Sequence, residues 1–141
     1  MREPGTAIRK SYYNAISAVV SSPVVDGKVE GLGGGDTYVI LGEQSESDRT
    51  NKARFAHEAT IQVVIVSKKK STAGRTAVEN ISDDILSAII PAPGSHGLTI
   101  EAPFHITFVK QDFGQASRVS QDIANDFENI KILQFINRIT Q

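Results

Sequence analysis

Glu58-Ala59-Thr60-Ile61-Gln62-Val63-Val64-Ile65-Val66-Ser67 alternates with the period of a β-strand. Ala59, Ile61, Val63 and Ile65 fall on one face; Thr60, Gln62, Val64 and Val66 fall on the other. One face is wholly apolar and the second is mixed, which is the pattern of a central strand whose apolar side lies under a helix. That helix follows directly. Beyond Lys68, Lys69 and Lys70, and with Ser71 or Thr72 as N-cap, the residues Val78, Ile81, Ile85, Leu86, Ala88 and Ile89 recur at spacings of three and four. Pro91 and Pro93 close it, because proline cannot continue a helix and holds Ile90 out of the α region. The strand and its covering helix, over about residues 74–90, are the expected nucleus of the core.

Working outward, residues 7–20 read as a second helix, with Ile8, Tyr12, Ala15, Ile16 and Val19 as its apolar stripe and Arg9, Lys10 and Asn14 opposite. Ser21, Ser22 and Pro23 break it. In Val24-Val-Asp-Gly-Lys-Val29, Asp26-Gly27 reads as a turn between two short β-prone pairs, or the whole as one strand bulged at the glycine. The glycine-rich run from Glu30 to Asp36 is read as a flexible linker. It lacks the Gly-Lys-Ser/Thr of a phosphate loop, and a strand, Thr37-Tyr-Val-Ile-Leu41, follows it where a nucleotide site needs a helix. Gly42 to His57 is polar and charged and is expected to be a mobile loop, either one that orders against a partner or a solvated loop of no consequence. Leu98 to Glu101 and Phe104 to Val109 read as strand interrupted by Pro103, which marks an edge or a bulge. Residues 111–128 are polar and poorly periodic, a second expected mobile loop in which Val119, Ile123 and Phe127 allow a short helical turn. Ile130 to Ile139 fits either a strand through Leu133, Phe135 and Ile139, with Asn137 out of pattern, or a helix; β-branched residues favour the strand.

The expected fold is therefore α+β: a mainly antiparallel sheet packed on two helices, forming one domain over residues 1–141. With 15 Lys and Arg against 16 Asp and Glu, the net charge is −1, and no general attraction to nucleic acid or anionic membrane is implied. The absence of cysteine removes disulfides, thiolate chemistry and cysteine-ligated zinc. No apolar run reaches the roughly 20 residues of a membrane helix, and no signal peptide is visible, so no membrane partner is expected. His57, His96 and His105 stand at unrelated spacings, so neither a metal site nor a catalytic constellation is expected, and no cofactor. Asp83 and Asp84 point about 100° apart on a helix, and the carboxylates of Glu79 and Asp83, one turn apart, read as a solvated face. Asn80-Ile-Ser82 matches a glycosylation sequon inside the expected helix and is discounted.

The order of these elements resembles the small tail-completion or tail-terminator proteins of tailed bacteriophages. The likeness runs over about residues 7–110 and more weakly beyond. It rests on the first helix, the valine-rich Val24-Val-Asp-Gly-Lys-Val29, Tyr38-Val-Ile-Leu-Gly-Glu43, and Ala59-Thr-Ile-Gln-Val-Val-Ile-Val-Ser-Lys68 before a helix of small and aliphatic residues. The segment from Gln111 to Glu128 departs from the family in being longer and more polar. The resemblance implies a structural, non-enzymatic virion protein, assembled in the host cytoplasm. Its subunits would form a homo-oligomeric ring at the head-to-tail junction, a hexamer, or a dodecamer if it is an adaptor under the portal of a short-tailed phage. It implies tail-tube and portal or connector proteins as neighbours, and genomic DNA passing without sequence-specific binding. Glu43, Glu46, Asp48, Arg49, Lys52 and Arg54, together with the C-terminal stretch, are then the candidate contacts between subunits or with the tube. Two other classes stay open on sequence: a small-ligand-binding α+β domain, which needs a pocket with convergent polar groups, and an enzyme whose site is shared across an interface.

Overall fold

The computed structural model describes residues 2–26, 36–68, 71–112, 117–123 and 126–141, with 71–73, 117–123 and 126–128 described by backbone alone. The elements are α1 (Gly5–Val19), β1 (Val24–Asp26), β2 (Thr37–Asp48), β3 (Ala56–Ser67), α2 (Ser71–Ile89), β4 (His105–Gln111), β5 (Ser117–Ile123) and β6 (Asp126–Thr140). Among the described residues the strands form one sheet in the order β1-β2-β3-β6-β4, with β5 also on β6. Only β1 on β2 is parallel. The α+β architecture expected from the sequence is the one observed.

β3 sits between β2 and β6, and the side chains of Ala59, Ile61, Val63 and Ile65 are fully buried. Both helices cover that same face. From α1, Tyr12 reaches Asn137; from α2, Glu79 pairs with Lys131 at 2.8 Å; both partners belong to the row of β6 that registers with the buried row of β3. Val78, Ile85 and Ile89 of α2 are fully buried there, as are Ile8, Tyr12 and Ile16 of α1. Gly97 lets the chain turn back beneath α2. Its N–H donates to the Ile89 carbonyl at 3.0 Å, and a Cβ at this position would overlap the Ala88 carbonyl oxygen.

Several expectations are corrected. Val19 is not part of the α1 stripe: it is 44% exposed, because the helix ends there and the extended Val20 turns inward instead. Leu98 to Glu101 forms no strand; Leu98 and Ile100 reach the core from irregular chain beside α1, where Lys10 and Glu101 lie 3.9 Å apart. β4 is an edge strand with a register shift between Ile106 and Phe108, so the alternation breaks: Phe104 and Val109 are buried and Phe108 is exposed. Gly42 to Asp48 is not loop but the continuation of β2, and Ala56 and His57 already belong to β3. Sequence period is silent over Glu43 to Asp48, because a strand with little apolar burial on either side needs no alternation. Within 111–128, β5 and the start of β6 replace the helical turn allowed to Val119, Ile123 and Phe127. The glycine-rich linker and the side chains of the proposed N-caps, Ser71 and Thr72, lie outside the described residues. Residues 130–139 are strand throughout.

Candidate assembly interface

The β2–β3 hairpin continues past the helices as an arm. It begins at a bulge: Leu41 opposes Val63 and Gln44 opposes Ile61, so two residues, Gly42 and Glu43, stand opposite Gln62 alone. Arg9 of α1 closes this break. Its Nη1 donates to the Gly42 carbonyl and its Nη2 to the Leu41 carbonyl, each at 2.8 Å, and the same guanidinium pairs with Asp26 of β1. One planar cation thus ties α1, β1 and β2 where a bulge breaks the ladder. Beyond the bulge, Gln44, Glu46 and Asp48 share the face of Ile61, Ala59 and His57. Gln44 Nε2 donates to Glu46 at 2.8 Å and to the Gly5 carbonyl at 3.2 Å, joining the arm to the start of α1.

The opposite face of the arm is laced across four strands. Glu58 on β3 lies 3.6 Å from both Arg138 of β6 and Arg49 at the end of β2, and Arg138 covers the Phe108 ring of β4 at 5.8 Å. At the tip, side chains organise the backbone. Asp48 Oδ1 accepts the Thr50 N–H at 2.8 Å, Asn51 Oδ1 accepts the N–H groups of Ala53 and Arg54 at 2.8 and 3.0 Å, and the Arg49 N–H donates to the Ala56 carbonyl at 2.8 Å. The hydrogen bonds from Thr50 hold the Asp48 carboxyl below its ordinary value, with the charge of neighbouring His57 adding to them.

All six contact candidates are exposed: Glu43, Glu46 and Asp48 along β2, and Arg49, Lys52 and Arg54 at the tip. Among the described residues neither Lys52 nor Arg54 has an ion-pair partner. They rim a shallow hollow with Asn51, Phe55 and Gln141, and Phe55 is 43% exposed. Phe55 escapes sequence reasoning because a single aromatic in a polar stretch carries no period. β6 runs through the interior of the sheet with Leu133, Phe135 and Ile139 buried, and Gln141 reaches the arm by donating its N–H to the Phe55 carbonyl at 3.1 Å.

The other chemistries find little to build on. His57, opposite Asp48 at the outer end of the arm, is buried, and its Nε2 has no partner among the described residues. His96 accepts the Leu98 N–H on Nδ1 at 3.3 Å and reaches the Ile106 carbonyl through Nε2 at 3.2 Å, and His105 is exposed at the start of β4. The three do not converge, and among the described residues no cluster of His, Asp and Glu could hold a metal. No helix among them is long and apolar enough to cross a membrane. A groove of about 530 Å³ lies between the end of α2 and β4, but its polar members Ser87, Lys110 and Gln111 are exposed or half-exposed instead of converging on an apolar floor.

No family model and no curated protein matches this chain. Among solved structures it is similar to a chain from the virion of a native gene transfer agent particle, with 15% sequence identity, a TM-score of 0.71 and 100% of both chains covered. At that identity the likeness is one of fold, and it extends over every element described above.

Proposed function

We propose that this chain is a structural component of a phage-like virion, a subunit of a ring at the head-to-tail junction that completes the tail and joins it to the portal or connector. The observation that carries the reading is the full-length likeness in fold to a chain of a gene transfer agent virion. The resemblance of its strands to tail-completion proteins points the same way. So does the organisation of the molecule, whose histidines stay apart while a charged, internally bonded arm leaves the sheet. In this reading the protein acts by assembly and not by catalysis. Glu43, Glu46, Asp48, Arg49, Lys52 and Arg54 contact a neighbouring subunit or the tail tube, and a net charge of −1 lets DNA pass the channel without being held.

Native mass spectrometry of the purified chain, alone and with tail-tube or portal protein, tests the proposal. A discrete ring is the expected result, six subunits for a tail terminator or twelve for an adaptor. A monomer or dimer that ignores both partners would overturn it.

A further inference from the structure

The β2–β3 arm changes charge along its length. From Thr37 to Asp48, β2 carries the carboxylates Glu43, Glu46 and Asp48 and no Lys or Arg; from Arg49 to Phe55 the tip carries Arg49, Lys52 and Arg54 and no carboxylate. Part of this charge is matched within the chain: Arg49 meets Glu58, Asp48 accepts from Thr50, and Arg9 at the bulge is held by Asp26. Glu43, Glu46, Lys52 and Arg54 are exposed and have no ion-pair partner among the described residues, and Glu46 takes only the neutral amide of Gln44. Glu43 lies roughly 17 Å before Asp48 along the strand at about 3.3 Å per residue, beyond the reach of the cations at its own tip. Past Leu41, β2 pairs with β3 alone among the described residues, so Glu43 and Glu46 border the outer edge of the arm.

We propose that the tip of the β2–β3 arm, through Lys52 and Arg54, docks on Glu43 and Glu46 along the arm of a second copy of this chain. This inference rests on the ring reading above and names its contact. Charge complementarity chooses the occupant, since the unmatched cations of one arm face the unmatched carboxylates of the next. Each arm offers its tip to one neighbour and its β2 edge to the other. Different patches meet in such an interface, so it is heterologous, the type that generates closed rings when the rotation returns on itself. The tip is suited to the task. Its cations stand on a backbone already held by Asp48 and Asn51, which lowers the ordering cost of binding, and Phe55 offers an aromatic anchor within the hollow. A polyanion such as duplex DNA is the weaker occupant: three cations neutralise few phosphates, and one lone aromatic is not a stacking platform.

A charge swap at low salt and a crosslink test the pairing. Lys52→Glu/Arg54→Glu reverses the tip and Glu43→Lys/Glu46→Lys the β2 edge; neither breaks an ion pair among the described residues, so both melting temperatures should stay close to wild type. Native mass spectrometry should show each double variant assembling at least roughly tenfold more weakly, since attraction becomes repulsion at every contact. An equimolar mixture of the two, or one chain carrying all four changes, should recover the ring. The chain has no cysteine, so Glu43→Cys/Arg54→Cys joined by a short bis-maleimide reports this contact alone and should give a ladder of covalent oligomers up to the full ring. A ring that survives either reversal would overturn this contact while leaving the ring reading intact. So would two folded variants whose mixture fails to assemble, crosslinking that stops at the dimer as a reciprocal two-fold pairing requires, or assembly that depends on duplex DNA and is lost with nuclease. A wild-type chain that never forms a ring removes both.

Discussion

Asn137 is the residue that makes β6 hard to read and the one that explains why it reads so. It occupies a core position, fully buried opposite Ala59, where an apolar residue would have completed the alternation of Leu133, Phe135 and Ile139. Its Nδ2 donates to the Ala59 carbonyl at 3.1 Å and its Oδ1 accepts the Tyr12 hydroxyl at 2.6 Å, so a polar group is buried only because both partners are present. Neither partner is visible from β6 alone, since Tyr12 is 125 residues away in sequence. Tyr12→Phe should leave Asn137 Oδ1 without that donor and cost about 1–3 kcal/mol in urea unfolding. Asn137→Leu should cost at least as much, and the double variant less than the sum, because an unsatisfied partner is removed each time. Strict additivity would mean the bond is not coupled. The same phenol gives a pH dependence. Burial pushes the Tyr12 hydroxyl far above its ordinary value, with the bond to Asn137 opposing this in part. Above about pH 10 the unfolded chain loses this proton and the folded chain keeps it, so stability should fall with rising pH by up to about 1.4 kcal/mol per unit. Comparing the alkaline slopes of wild type and Tyr12→Phe isolates that contribution, and identical slopes would exclude it.

Among the elements, those with one buried face were legible in the sequence and those with little or no buried face were not. β3 and α2 announce themselves because burial on one side imposes a period of two or of 3.6 on the apolar residues. The polar half of β2 carries no such signal, since its order comes from pairing with β3 and from α1 and not from apolar burial. The same reasoning covers the site: charge picked out Glu43, Glu46, Asp48, Arg49, Lys52 and Arg54 as exposed, while the arm that presents them needed the fold. Arg9 is the residue that joins the two halves of β2. Removing it as Arg9→Ala should expose the Leu41 and Gly42 carbonyls at the bulge and free Asp26, with a loss of about 1.5–3 kcal/mol for charge-assisted hydrogen bonds. The effect should be local. Native-state hydrogen exchange is expected to quicken at amides of Gln44 to Asp48 while those of Ile61 to Ile65 keep their protection. Uniform loss across both segments would mean that Arg9 supports the whole sheet and not the arm.

At the scale of the molecule, one sheet carries a buried face under two helices and extends at one end into the β2–β3 arm, whose tip carries Arg49, Lys52 and Arg54 and is the candidate contact between copies. Salt separates this from the alternative in which copies meet through the apolar groove beside β4. Exposed charges attract over a Debye length, about 10 Å at 0.1 M and 3 Å at 1 M, so a contact made by Lys52 and Arg54 against carboxylates is screened as salt rises. Apolar contact is not weakened this way and is strengthened by sulfate. Sedimentation velocity in 50 mM to 1 M sodium chloride should therefore show assemblies giving way to subunits, with the change reversed on dilution. Phenylalanine at position 55 should set how much survives at high salt, because an aromatic anchor is insensitive to screening: Phe55→Ser should lower the residual assembly at 1 M while leaving the salt slope unchanged. An assembly that resists 1 M chloride in the wild type, and that tightens in sulfate, would place the joint on the groove between α2 and β4 instead of on the tip of the β2–β3 arm.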